Sequence, residues 1–150
     1  MAVQGRLDLS NFSIILSGIT LTVDSGVLLQ DAGRSAVFFS GTVVAKIAAT
    51  GKWVPLTDVT LTTGAAIALG VYLGDDVAAA DLVAGDVTGA LILTGGGACT
   101  LDSSLVILEN SLTPATVVET GTINARTIAD DLARIGLFLE ATINIDELEN

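Results

Sequence analysis

The 150-residue chain contains no histidine, one cysteine, and 6 Lys and Arg residues against 17 Asp and Glu. Without histidine the most frequent general base is missing. Cys99 has no second cysteine to pair with and no histidine to share a zinc ion, so redox and zinc roles are disfavoured. The two lysines and four arginines are scattered, which leaves no basic stripe to neutralise phosphates. A formal charge of −11 repels anionic surfaces, and direct contact with nucleic acid is not expected. The longest uncharged stretch, Val59 to Gly74, is interrupted by Gly64 and Gly70. It falls short of the roughly 20 apolar residues of a spanning helix, so no membrane partner is expected. Arg6 is the only early basic side chain, Asp8 follows it, and Ser13, Ser17 and Gly18 break the next apolar stretch. A secretory signal is not expected from that pattern.

What is present is small and aliphatic. Hydrophobic residues make up 51% of the chain but aromatics only 4%, so the high mean hydropathy comes from Val, Ile, Leu and Ala. A chain of this length buries roughly 68–70% of its unfolded surface in one domain and needs no disulfide staples. Short apolar pieces recur with Gly-rich punctuation between them: Phe12 to Leu16, Ile19 to Val23 and Val27 to Leu29, split by Ser17-Gly18 and Asp24-Ser25-Gly26. Ala36 to Ala48, the turn Ala49-Thr50-Gly51 and Lys52 to Leu56 read as a hairpin, with Pro55 at a strand edge or end. Ala66 to Leu73, Ala90 to Leu93, Ala98 to Leu101, Leu105 to Leu108 and Leu137 to Ala141 read as further extended pieces. Gly95-Gly96-Gly97 reads as a hairpin turn and Gly74 to Val87 as a solvated acidic loop.

One stretch has helical periodicity. Ile128, Leu132 and Ile135 fall at i, i+4 and i+7, which predicts a helix over about residues 124–135, started by Thr122 or Asn124 and ended by Gly136. The sequence predicts a mainly β fold, a small β-barrel or sandwich with this one helix near the C-terminus. Residues 1–30 are expected to form an N-terminal arm with short strands and residues 31–150 a compact β-rich domain.

Residues that carry chemistry elsewhere have plainer readings here. Asp75 and Asp76 are adjacent on a loop and read as surface charge, not an acid–base pair. Asp75, Asp81 and Asp86 lack the alternating spacing and terminal bidentate Glu of a calcium loop. Gly95 to Gly97 lack the Lys-Ser/Thr of a phosphate-binding loop. Lys46 and Lys52 flank a turn, as in carrier domains that modify a hairpin lysine, but the tip itself is Ala49-Thr50-Gly51. Cys99 lies in an apolar strand with no cation nearby in sequence to activate it. No cofactor or metal is implied, and an enzyme is not expected. Trp53, the lone tryptophan, and Val37, Phe38 and Phe39 are assigned to the core or to an interface between copies.

The order of these pieces carries a resemblance. Gly41-Thr42-Val43-Val44-Ala45-Lys46-Ile47, then Thr50-Gly51-Lys52-Trp53-Val54-Pro55-Leu56, then Ala68-Leu69-Gly70-Val71-Tyr72-Leu73 resembles tailed-phage head decoration (capsid cement) proteins of the lambda type. The likeness continues through the acidic loop, Ala90 to Gly96, and a late Ala-rich helix running into Ile135-Gly136-Leu137-Phe138-Leu139, covering about residues 27 to 141. It implies a virion protein made in the host cytoplasm. That protein would bind the major capsid protein on the outer capsid surface as a homotrimer, with its N-terminal arm adding a strand to a capsid segment. Val3, Leu7, Leu9 and Phe12 are then the expected capsid contacts. The apolar, strand-like stretch from Phe12 to Leu29 departs from the short polar arm of that pattern. Another phage structural role, in a tail tube or baseplate, is the alternative, and an enzyme or carrier subunit is a third.

Overall fold

The computed structural model describes residues 13–18, 20–59, 65–118 and 126–141. The chain runs β1 (Ile15–Ser17), β2 (Leu21–Leu28), β3 (Val43–Lys46), β4 (Trp53–Pro55), β5 (Gly70–Tyr72), α1 (Ala79–Ala84), β6 (Val87–Gly96), β7 (Cys99–Asp102), α2 (Ile128–Arg134) and β8 (Leu137–Glu140). Strands β2-β4-β3-β5-β6 close into a barrel, and β1-β7-β8 form a second, three-stranded sheet beside it. The protein is therefore mainly β, with a small barrel, as the strand spacing predicts.

Val43 to Ala45 of β3, Gly70 to Tyr72 of β5 and Ile92 and Leu93 of β6 are apolar without a break because they are buried whichever face they are on. One side of these strands contributes Val44, Tyr72 and Ile92 to a cluster with Leu28, Trp53 and Ala90, roofed by Leu82 of α1. The other side contributes Val43, Ala45, Val71 and Leu93 to a cluster with Cys99, Leu101 and Leu137 of the second sheet and Ile128 and Leu132 of α2. Alternation along each strand thus feeds two cores.

Trp53 fills the barrel. A Cβ on Gly26 of β2 would lie 2.6 Å from its indole, and one on Gly70 of β5 would lie 3.6 Å from the far edge of the same ring. Because β4 and β5 are separated by β3, the indole reaches Gly70 across the interior. This corrects the reading of Asp24-Ser25-Gly26 as a turn. These residues are the middle of β2, paired with Ile92, Leu91 and Ala90 of β6, and Gly26 is there for close approach.

Gly95-Gly96-Gly97 also differs from expectation. Strand β6 continues through Gly96, and β7 pairs with β1 and β8 and not back onto β6. The glycines mark where the chain leaves the barrel for the second sheet. The Gly96 amide donates to the Ile135 carbonyl at 3.0 Å and the Cys99 amide to that of Gly136 at 2.8 Å. Gly136 has φ +83, and a Cβ there would overlap the Gly96 carbonyl. The hairpin β3–β4 forms as expected around Gly51, with φ +68, and Pro55 ends β4. Of Ala66 to Leu73 only Gly70–Tyr72 is strand, and of Leu105 to Leu108 only Ile107 bridges, to Thr42.

The helix predicted over 124–135 is α2. Its cap is Thr127, not Thr122 or Asn124, which lie outside the described residues. The Asp130 amide donates to the Thr127 hydroxyl at 3.2 Å, and the Thr127 amide to the Asp130 carboxylate at 2.8 Å, a reciprocal capping box. The bond from the Thr127 backbone, then that with its side chain, holds the Asp130 carboxyl below its usual value. A second helix, α1, stands inside the expected acidic loop, because Val77 and Leu82 bury against Phe38 and Tyr72 while Asp81 between them stays outside. Within the stretch expected as an arm, β2 is a barrel strand and β1 pairs with β7.

Three outcomes in urea denaturation check this packing and capping. Gly26→Ala should cost about 1–3 kcal/mol by overpacking against Trp53, whereas Gly85→Ala, with nothing within 4 Å of its Cβ, should stay within about 0.5 kcal/mol of the parent. Thr127→Ala should cost about 1 kcal/mol.

Candidate functional site

The residues assigned to core or interface separate into two pairs. Phe38 and Trp53 are buried, while Val37 and Phe39 are exposed, Phe39 at 46%. The physical reason is local. Phe38 forms an antiparallel bridge with Val77, each amide donating to the other's carbonyl at 2.9 and 2.8 Å, and its ring packs on Tyr72 with centroids 5.0 Å apart. With Phe38 turned inward, strand alternation turns its two neighbours outward. Val3, Leu7, Leu9 and Phe12 lie outside the described residues.

Arg34 fixes this outward display. Its guanidinium donates to the Ala36 carbonyl at 2.9 Å, to that of Val37 at 3.1 Å, and to both carboxylate oxygens of Glu109. It also lies 5.2 Å from the Phe38 ring centre. The bidentate pair is largely buried and ties two segments 75 residues apart. The bond to Glu109 raises the Arg34 pKa further above its usual value against the opposing effect of burial, with Glu109 and Asp31 adding attraction.

Below Phe39 the chain turns at Gly41, whose φ of +93 favours glycine and whose missing Cβ leaves room for the Leu105 carbonyl. The Thr42 hydroxyl donates to the Phe39 carbonyl at 2.7 Å, and Ile107 donates to Gly41 and accepts from Val43. Exposed Leu105 therefore stands beside the Phe39 segment. Two clefts, of about 440 and 290 Å³, meet at Ile107, the first along Arg34 to Phe39 and the second along Ser40, Gly41, Ser104 and Leu105. Sequence reasoning assigned no role to Leu105, Ile107, Arg34 or Glu109, because nothing local links them to residue 39.

The acidic residues border a separate cleft of about 600 Å³, where several are engaged in holding backbone. Asp76 accepts from the Ser40 amide at 2.8 Å. Asp86 accepts from the Gln30 amide at 2.7 Å and from Lys52 at 2.6 Å, and the Lys52 bond is the first cause of its lowered pKa. The Tyr72 hydroxyl donates to the Asp75 carbonyl at 2.6 Å, and its pKa is raised by burial and then by Asp75 and Asp76. Among the described residues no group of three His, Cys, Asp or Glu side chains is placed to hold a metal. Lys46 lies 5.3 Å from the Trp53 ring centre. Cys99 is buried, which pushes its thiol pKa up. The clefts are built from polar groups spent on structure and apolar groups left exposed.

No family model matches this chain, and neither a curated protein nor a solved structure is significantly similar to it.

Arg34→Met should lower stability by about 3 kcal/mol in chemical denaturation, because Glu109 is left without its partner in a largely buried setting. The Asp86 carboxyl has a depressed folded pKa, so its contribution is present above the ordinary Asp value and is lost as pH falls through the folded one. Lys52→Met should raise the Asp86 pKa in an NMR titration and flatten the fall of stability with acid in that window.

Proposed function

We propose that this chain is a tailed-phage head decoration protein, a non-catalytic building block that binds the outer surface of the expanded capsid as a homotrimer at local threefold positions. The observation that carries this reading is where the resembling segments fall. Gly41 to Ile47, Thr50 to Leu56, Ala68 to Leu73 and Ala90 to Gly96 contain β3, β4, β5 and most of β6, the contiguous strands β4-β3-β5-β6 of one closed barrel. Ile135 to Leu139 docks on its end through Gly96. The likeness in serial order is thus a likeness along one structural unit.

The chemistry of the surface supports the same reading. Arg34, Glu109, Asp76, Asp86 and the Tyr72 hydroxyl are consumed in internal hydrogen bonds, which suits a scaffold that acts by contact. The mechanism is mechanical: each copy binds the major capsid protein in the expanded lattice only, and by mass action many modest contacts stabilise that lattice against packaged DNA. Val3, Leu7, Leu9 and Phe12 supply the capsid contact. The protein is made in the host cytoplasm and resides on the virion surface, with no part in nucleic-acid or membrane binding.

Purified protein mixed with undecorated expanded capsids of its own phage should bind to saturation and raise the temperature of DNA release. Deletion of residues 1–12 should abolish that binding. Absence of binding and an unchanged release temperature would overturn the proposal, and rings or tubes of the isolated protein in negative stain would point to a tail-tube or baseplate component.

A further inference from the structure

A strand inside a sheet has its main-chain donors and acceptors taken on both sides, whereas a strand with one neighbour leaves every second residue's N–H and C=O facing outward. Strand β2 is partly of each kind. Along Leu21 to Leu28 it pairs with β6 on one side. On the other side Leu28 alone is paired, with Trp53 of β4, which is only three residues long. The barrel therefore closes at one end of β2, and the edge from Leu21 to Gly26 has no strand against it among the described residues. Leu21 through Ser25 are all exposed.

Exposed edges are ordinarily guarded by lysine, proline or a bulge that twists them away. Leu21 to Gly26 holds neither lysine nor proline, and both irregularities in its pairing put the extra residue on β6, which leaves β2 itself regular. The edges of the second sheet, β1 and β8, have only three and four residues.

The side chains of this edge define what would fit it. Leu21 and Val23 are exposed and alternate with Thr22 and Asp24. A strand laid beside β2 shares its two faces, so its complement sets apolar residues beside Leu21 and Val23 and a cation beside Asp24. The Thr94 hydroxyl reaches the Asp24 carboxylate at 3.2 Å, and among the described residues no cation pairs with it. A second copy's β2 brings another carboxylate and no cation to a chain already at −11.

We propose that the Leu21–Gly26 edge of β2 accepts an extended segment of another protein, alternating apolar and basic residues, as an added strand of the barrel. Main-chain bonds supply the affinity and Asp24 the charge preference. The site is separate from Val3, Leu7, Leu9 and Phe12, and it does not rest on the decoration reading.

The probe is a short blocked peptide alternating valine and lysine, titrated into the isotope-labelled full chain and followed by NMR. It should bind with a dissociation constant below about 1 mM, shift the amides of residues 21–26 and slow their hydrogen exchange. N-methylation of one alternate set of peptide residues should abolish binding and of the other set should leave it intact, since a strand pairs through one edge at a time. A counterpart with glutamate for lysine should bind at least about tenfold more weakly. Asp24→Lys should reverse that preference, while Asp81→Lys, the same change of charge on α1, should preserve it. Unfolding midpoints establish that the variants are folded, and should Asp24→Lys fail that check, the methylated peptides decide on the parent chain. Absence of binding, equal binding by both methylated sets, shifts centred away from β2, a preference indifferent to Asp24→Lys, or one reversed by Asp81→Lys would overturn the proposal. Protection of residues 21–26 that grows with protein concentration in the absence of peptide assigns the edge to a second copy, and overturns it too.

Discussion

The indole of Trp53 is the constraint on which the rest of the structure depends. A five-stranded barrel has a narrow interior, and one large side chain takes up much of it, so the walls facing that side chain must be thin. Gly26 and Gly70 supply the thin walls, and Leu28, Val44 and Ile92 fill what the ring leaves. Since the indole spans from β2 to β5, it sets the relative placement of strands that are not neighbours. A chain with a 4% aromatic content has no second tryptophan with which to do this.

That placement propagates outward through main-chain bonds. The register of β3 against β4 and β5 fixes Thr42 and Gly41, and Gly41 fixes the approach of residues 105–107. Phe38 closes the other end of the barrel cluster and by alternation leaves Val37 and Phe39 outside. Arg34 then converts the loop into a fixed platform, because its donors are shared among two carbonyls and Glu109. The exposed apolar face is thus a consequence of how the core is filled.

Much of the fold was legible because apolar runs with Gly between them can only be strands at this spacing. The β3–β4 hairpin, the course of α2 and the strand after Gly136 all follow from local pattern. Most of what was not legible depends on contacts distant in sequence. Gly26 looks like a turn residue until Trp53, 27 positions later in the chain, is known to press against it, and Gly95 to Gly97 look like a hairpin until Gly136 arrives against them. Helix α1 has only six residues, too few to show a period, and the aspartates around it mask the burial of Leu82. For the candidate site, position 39 could be singled out as aromatic, but whether it faced in or out depended on Phe38 finding Val77. Ile107 and Glu109 join the site only through long-range bonds.

Acidic charge and an exposed apolar face are compatible within one small protein because they act over different distances. Exposed charges separated by more than about 8 Å are largely screened at physiological salt. The apolar term, by contrast, operates at contact. A phenylalanine of roughly 200 Å² that is 46% exposed has about 90 Å² to bury, worth about 2 kcal/mol per copy, before Val37 and Leu105 add theirs. Charge distributed over the surface, including Asp31 and Glu109 in the cleft that Phe39 borders, keeps such a face from sticking to acidic neighbours.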